Sequence, residues 1–374
     1  MNIWFIIIVA IPGLIGNVVE LKLKIFYIKL ILFFPYELLV WRFILSETKI
    51  SWFKPVIEKK EIRELSKKNN LKGLLQFLGF FGILSVAASV AYLSSDTKYN
   101  IFIFLVYGQL YGFVYAAQHE LMHKSVFESS FLNKMGLWVS SSLLCHEMIY
   151  NYYSHLQHHN YTLTEGRDIE GRPFNRPPNI FFDTLNLFFK YRDQFDHIKA
   201  ILFHTLGKPT PNALLFVPKS HFREMYFNSR IHLLMEFGII SSSIIFQSWL
   251  PLLLITLPRF YGGFLHNLCS SAQHTGYPMN VYDHRCNTRT LIMNPVLRFF
   301  YWNMNYHIEH HLYPSVPFHA LKKLHSEIKM QLPNPQKSLI EAWNEMIRCL
   351  VIQMRTPSHN IIPVLPEKTK LRHG

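Results

Sequence analysis

AQHELMHKS at 117–125, YSHLQHHNYT at 153–162 and NYHIEHHLYP at 305–314 each carry a burst of histidine in a chain that is otherwise apolar. His119 and His123 stand at i and i+4. His155, His158 and His159 stand at i, i+3 and i+4, and His307, His310 and His311 repeat that spacing. On a helix such positions share one side, so each burst predicts a comb of two or three imidazoles. Imidazole is the commonest nitrogen ligand for iron, zinc and copper near neutral pH. Eight are too many for one ion, which takes about four to six ligands, so the count points to two metal ions. His274, in HNLCSSAQHTG at 266–276, is expected as a ninth ligand in preference to His266. The isolated His197, His204, His221 and His232 read as ordinary side chains satisfied by one hydrogen bond.

Of the 374 residues, 49% are hydrophobic and 17% charged. Residues 73–93, GLLQFLGFFGILSVAASVAYL, hold no charge, and 101–118 follows after a polar turn at 94–100. Residues 231–257 carry only Glu236, break near Trp249–Pro251, and with the run through 260–265 could form a helical hairpin. These stretches approach the roughly 20 apolar residues that cross a bilayer. So many long spans together favour a membrane protein over buried core helices. The expected fold is all-α: a polytopic, multi-pass helical membrane protein with a helical cap bearing the histidine combs. Three regions are expected: 1–72, apolar then basic and amphipathic; 73–332, membrane domain with cap; and 333–374, a C-terminal tail.

The net charge is +14. Residues 54–72 hold Lys54, Lys59, Lys60, Arg63, Lys67, Lys68 and Lys72, just before the first span. The positive-inside rule puts this stretch in the cytoplasm, where it can also meet anionic lipid. Charge placed this way is not a nucleic-acid footprint, so no nucleic-acid partner is expected. From there 73–93 leads out and 101–118 leads back. Residues 131–150 read as interfacial, 160–230 as cytoplasmic, and 231–265 as going out and returning. An even number of crossings then brings every comb, the cap and the tail to the cytoplasmic face. Residues 1–16 are apolar but lack a basic n-region, so a cleaved signal peptide is not expected. Residues 24–45 hold Lys24, Lys29, Glu37 and Arg42, and the choice between a hairpin and an interfacial helix stays open. Cys145, Cys269, Cys286 and Cys349 lack CxxC spacing, which suggests neither a disulfide framework nor a thiolate metal site. Reduced thiols are expected.

Two other classes compete. HELMH is also HExxH, the zinc metalloprotease motif, with Glu120 as general base of an intramembrane protease. That reading needs one further ligand and leaves both HxxHH combs unexplained. A metal transporter would favour histidine within the spans, whereas here the histidines lie at their ends.

The pattern continues outside the combs, in YSHLQHHNYTLTEGRD (153–168), SSAQHTGYPMNVYDHRCNTRT (270–290) and NPVLRFFYWNMNYHIEHHLYPSVPFHALKKLH (294–325). With boxes HxxxH, HxxHH and HxxHH in that order, the chain resembles the membrane fatty acid desaturase and hydroxylase superfamily over about 74–332. It looks most like bacterial acyl-lipid desaturases. It lacks the cytochrome b5 haem motif and the Gln-led third box of front-end desaturases, and His311 stands where alkane hydroxylases have tyrosine.

The resemblance implies a non-haem centre of two iron ions, held by His119, His123, His155, His158, His159, His274, His307, His310 and His311. It implies O₂ as co-substrate and attack on an unactivated C–H bond. Desaturation of a fatty acyl chain is expected, with hydroxylation of a lipid or alkyl substrate as the alternative. Cleaving O₂ needs a redox-active metal, which zinc is not. Glu120, Asp168, Asp283 and Glu309 are expected to orient imidazole N–H groups, and Asn305 to hydrogen-bond a metal-bound water. The apolar spans are expected to enclose a tunnel for the substrate. The chain shows no haem, iron–sulfur or nucleotide fingerprint. Electrons are therefore expected from a separate carrier, a ferredoxin or cytochrome b5 fed by a reductase. Its docking contacts are expected among Lys322, Lys323, Lys329, Arg285 and Arg289, steered by charge.

Overall fold

The computed structural model describes residues 50–171 and 174–367. The expectations for 1–16 and 24–45 lie outside the described residues. The fold below belongs to the unit Trp52–Gly374. Among the described residues the regular structure is helical, and the only extended pairings are the isolated bridges Thr290–Tyr306 and Leu291–Gln336.

Helix α1 (Lys59–Leu65) precedes α2 (Asn70–Leu93). Asn69 caps α2 by accepting from the Lys72 N–H at 2.9 Å, which satisfies one donor left free at a helix start. Helix α3 (Asn100–Gly112) is interrupted at Phe113 and resumes as α4 (Val114–Met122). Two helical stretches, Asn70–Leu93 and Asn100–Met122, are long and apolar enough to cross a membrane. They contain the spans expected at 73–93 and 101–118. The segment 131–150 is not one element. Helix α5 (Ser130–Leu144) ends at Cys145, which adopts φ 55°, and α6 (Met148–Asn160) starts after it with Glu147 as its cap. The reversal lets α6 turn its histidines toward α4.

Helices α7 (Ile180–Phe189), α8 (Tyr191–Thr205) and α9 (Pro211–Phe216) lead to α10 (Phe222–Ile245). The apolar stretch expected at 231–257 is thus divided. Helix α10 starts earlier, the chain turns at 246–248 with Gln247 at φ 48°, and a π-helical turn covers Leu252–Thr256. Helices α11 (Pro258–Tyr261) and α12 (Phe264–His274) complete the return. A buried ion pair ties the arms: the Arg259 guanidinium donates to both Glu236 oxygens at 2.7 and 2.8 Å, and Thr256 adds a third bond to Glu236.

Helix α3 meets the α11–α12 junction through glycine. A Cβ on Gly262 would sit 2.0 Å from the Gly108 carbonyl oxygen, and one on Gly112 would sit 2.4 Å from the Gly262 oxygen. Gly108 and Gly112 form a GxxxG spacing, the pattern that lets helix backbones touch. This crossing fixes the helix leading to His119 against the helix leading to His274. The remaining elements are α13 (His284–Asn287), α14 (Pro295–Phe300), α15 (His307–Leu312), α16 (Leu321–Ile328) and α17 (Leu339–Gln353).

Between α14 and α15 the chain reverses through Trp302 and Asn303, at φ 50° and 55°. A bulky residue held there costs about 1–3 kcal/mol and persists where packing over-determines it. Trp302 is fully buried against Phe80 and Phe318, with ring centroids 6.1 and 5.4 Å away. The same core contains Phe113, Leu121 and Met304, so the helix carrying the first comb and the turn leading into the third pack together.

Candidate metal centre

The combs meet in the interior. His119 is on the last turn of α4 and His123 is its C-cap; His155, His158 and His159 are on α6; His274 ends α12; and His307, His310 and His311 are on α15. Their ring nitrogens fall into two groups. One holds His119, His123, His155, His159 and His310, and the other His158, His274, His307 and His311. Within each group the nitrogens lie within 4.8 Å of one another.

In the first group the Nε2 atoms of His119 and His310 are 2.9 Å apart, those of His123 and His155 2.9 Å, and those of His155 and His159 3.1 Å. In the second, Nε2 of His307 lies 3.0 Å from that of His274 and 3.1 Å from that of His311. Nitrogens about 2.1 Å from one ion and at right angles around it would be roughly 3.0 Å apart. The spacing therefore fits nitrogens disposed about a common ion.

The outer faces of the rings indicate the tautomers. Nδ1 of His158 donates to Asp168 at 3.0 Å, Nδ1 of His155 to Glu170 at 3.0 Å, and Nδ1 of His274 to the Asn287 carbonyl at 2.9 Å. The Thr162 hydroxyl spends its proton on the His158 carbonyl at 2.7 Å, so it accepts from Nδ1 of His311 at 3.2 Å. With the proton on Nδ1, these four rings turn Nε2 lone pairs inward, the state a metal ligand needs. Burial, reinforced by neighbouring rings, holds His159, His307, His310 and His311 well below the usual histidine range and His274 at about 3. They are neutral near pH 7.

The supporting carboxylates only partly follow expectation. Burial opposes ionisation of Asp168, but His158 and the N–H groups of Leu163 and Glu170 outweigh it and bring its carboxyl to about 2. Gly171 closes this loop where no side chain fits, since a Cβ would sit 2.4 Å from Asp168 Oδ2. Glu120 is fully buried with neither oxygen hydrogen-bonded, 3.7 Å from Nδ1 of His310. Asn305 donates to the Leu291 carbonyl, while its Oδ1 is buried without a partner.

Two expectations are corrected. Asp283 meets no comb histidine: its carboxylate takes the Arg285 N–H and guanidinium. Glu309 sits on the comb, but its carboxylate turns away to the Thr290 hydroxyl and Nδ1 of His325. Sequence reading missed Glu170, which also accepts from Ser154. Its place two residues after Asp168 was the available signal.

Three of the expected carrier contacts are also occupied. Arg289 is 2% exposed and donates to the carbonyls of Ala272 and Thr275 and to Glu345. Arg285 is held by Asp283 and the Gln331 carbonyl, and Lys323 pairs with Glu61 at 2.8 Å.

A cavity of about 300 Å³ opens onto the centre, where His119, His155, His158, His274 and His307 form one wall. It is not the apolar tunnel expected. Asn151, Asn186, Asn267 and Gln273 line it with Tyr115 and Met304, as do the charged Lys190, Arg192, Asp183 and Asp193.

The fatty acid desaturase family profile matches residues 97–343, a region that holds all nine of these histidines. The chain belongs to the fatty acid desaturase family. It is similar to a "Sphingolipid delta(4)-desaturase DES1-like" protein of Arabidopsis thaliana, 21% identical over 281 residues, covering 73% of this chain and 71% of that one. A protein of the same description from Oryza sativa subsp. japonica is 23% identical over 279 residues, covering 73% and 77%. This desaturase-family chain is accordingly an oxidoreductase of lipid metabolism.

Proposed function

We propose that this chain is a multi-pass membrane desaturase that introduces a double bond into a lipid chain, using two iron ions held in the two histidine cages. The observation that carries the reading is the convergence of nine imidazoles, seven of them buried, from four separate helices into groups of five and four. When bound, the irons would supply the redox chemistry that activates O₂ against a C–H bond. His119, His123, His155, His159 and His310 would hold one ion, and His158, His274, His307 and His311 the other.

The chain's own contribution is positioning. Asp168, Glu170, Thr162 and the Asn287 carbonyl fix ring orientation from outside, so that ligand geometry is set before metal arrives. Seven of the nine histidines are buried and His119 and His123 are half-buried, which limits water at the site. The family match and the curated relatives' names support a lipid substrate. Membrane residence is supported by α2, whose Leu75, Leu78, Val86 and Leu93 are 67%, 62%, 65% and 78% exposed. A soluble protein would not leave such a face to water. With the basic segment 54–72 in the cytoplasm, the cages lie on that side, within reach of an external ferredoxin or cytochrome b5 and its reductase. Lys322 and Lys329 are the remaining expected contacts for such a carrier.

The protease reading is disfavoured by Glu120. Its carboxylate lies beside Nδ1 of His310, on the opposite side of that ring from Nε2, where a metal-bound water would not be. Purified protein from iron-replete cells should hold two irons per chain. With reductase and carrier it should yield an unsaturated lipid by mass spectrometry, only when O₂ is present. One zinc and no iron, or full turnover without O₂, would refute the reading.

A further inference from the structure

His266 belongs to neither cage. It lies eight residues before His274 on α12, about two helical turns or ~12 Å away along the axis. Its ring is stacked on Tyr115 at 5.3 Å and packs edge-on against Tyr301 at 5.8 Å. His266 and Tyr301 both line the cavity that ends at the cages. His266 is 5% exposed and Tyr301 1%. Nδ1 of His266 and the Tyr301 hydroxyl have no hydrogen-bond partner. Buried polar atoms are nearly always paired, and each one left alone costs about 1–3 kcal/mol. Two such atoms from facing rings in one cavity call for a ligand.

The charged residues that line the cavity narrow its chemistry. Lys190 Nζ lies over the Tyr115 ring and 3.9 Å from Asp193, and Arg192 is bonded to Asp183 at 2.7 Å. These cations already have anions, while Asp196, which also lines the cavity, is exposed. An ionic head group would have to break such a pair, whereas a hydroxyl or amide need not. Both can meet a phenol and an imidazole, which each donate or accept.

We propose that His266 and Tyr301 form a clamp for a neutral hydrogen-bonding group of the substrate, a hydroxyl or an amide, and so set which carbon faces the cages. The clamp rests on the lipid-desaturase reading above. It adds that the oxidised position is counted from this polar group, because His266 shares α12 with the cage histidine His274 and Tyr301 stands on the turn that leads into α15. Lengthening the far end of the chain then leaves the position unchanged.

The test uses the full chain in detergent, with binding and product position read separately. Hexadecan-1-ol, hexadecanamide and hexadecanoate are titrated by calorimetry into wild type, Tyr301→Phe, His266→Phe and His266→Gln. Wild type should bind a neutral probe at least tenfold more tightly than hexadecanoate, and the better neutral probe tells hydroxyl from amide. Tyr301→Phe and His266→Phe should each weaken that probe about tenfold with bound metal unchanged, and His266→Gln should restore part of the loss. Equal weakening of all three probes, or tightest binding of hexadecanoate, would overturn the clamp. Equal affinity for all three would mean that water alone fills the cavity, and would overturn it too. For turnover, product position is mapped for alcohols and amides of several chain lengths. A position constant from the polar end is expected, and one constant from the methyl end overturns the proposal. Absence of any oxidation, with selective binding intact, would count against the desaturase reading and not against the clamp.

Discussion

Asp168→Asn changes one atom beside the second cage, and its cost can be worked from five contacts. Oδ1 accepts from the N–H groups of Glu170 and Gly171 at 2.9 and 3.1 Å and from Nδ1 of His158 at 3.1 Å. Oδ2 accepts from the Leu163 N–H at 2.7 Å and from Nδ1 of His158 at 3.0 Å. An asparagine offers one oxygen and one NH₂. If its oxygen takes the Oδ1 position, the Leu163 N–H faces a donor while His158 keeps an acceptor. If it takes the Oδ2 position, Glu170 and Gly171 face one. One or two buried donors lose their acceptor, at about 1–3 kcal/mol each, so roughly 1–6 kcal/mol is expected. Because folding depresses the Asp168 carboxyl to about 2, its contribution is complete above about pH 4 and is lost only as pH falls toward 2. Between pH 8 and 5 the carboxyl itself stays ionised, but against burial it also holds the His158 pKa above the usual 6.5, so the gap in melting temperature between wild type and variant should widen as pH falls toward 6.5 and stay level below it down to pH 5. Metal affinity of the second cage should fall about 10- to 100-fold, the usual effect of removing a partner behind a ligating histidine. The assay is iron per chain by mass spectrometry after buffer exchange, beside thermal unfolding. Asp283→Asn makes the same charge change at a carboxylate that meets only Arg285, and should keep its iron. Full iron in Asp168→Asn, or loss confined to Asp283→Asn, would refute the argument.

Burial raises Glu147 from 4.5 to about 7 against the N–H groups of Tyr150 and Ile149, so the folded state keeps a proton that the unfolded chain releases. Stability should fall as pH rises from about 4.5 to 7, by roughly 3 kcal/mol at most, and pH-dependent melts of Glu147→Gln should lack that slope. Gly262→Ala drives a Cβ to 2.0 Å from the Gly108 oxygen, so it should destabilise by about 1–3 kcal/mol or more and reduce iron in both cages. Gly238→Ala, with nothing within 4 Å of its Cβ, should be neutral or stabilising in the same melts. Stripping iron with a chelator should lower the melting temperature and iron should restore it, since a ligand that binds only the folded chain stabilises it.

The combs were legible because i, i+3 and i+4 spacing is a property of the helix itself. The two apolar stretches that became α2 and α3–α4 were legible for the same reason, as composition alone marks them. Side chains in irregular loops were not. Asp283 and Asp168 look alike in sequence, but only the loop from 163 to 171 folds back on the comb before it. Arg289 reads as surface charge, yet it is buried where three acceptors converge on it. His266 reads as a lone histidine, and its unpartnered nitrogen becomes visible only when Tyr301 is seen to face it.

Helix geometry also explains how the ligands divide. At about 100° per residue, i and i+4 lie 40° apart, whereas i+3 lies 60° to the other side of i. An HxxHH comb between two ions must therefore send its outer pair to one and its i+3 member to the other. On α6, His155 and His159 join the first group and His158 the second; on α15, His307 and His311 join the second and His310 the first. The two combs are thus reciprocal and supply three nitrogens to each group. The first box adds its i, i+4 pair to one group, and His274 adds a single nitrogen to the other, which gives five and four. The i+3 place of the first box is Met122, which lines the cavity and accepts from Asn151 Nδ2 at 3.5 Å. Methionine at that place therefore puts an apolar thioether, and not a third imidazole, on the cavity wall beside the cages.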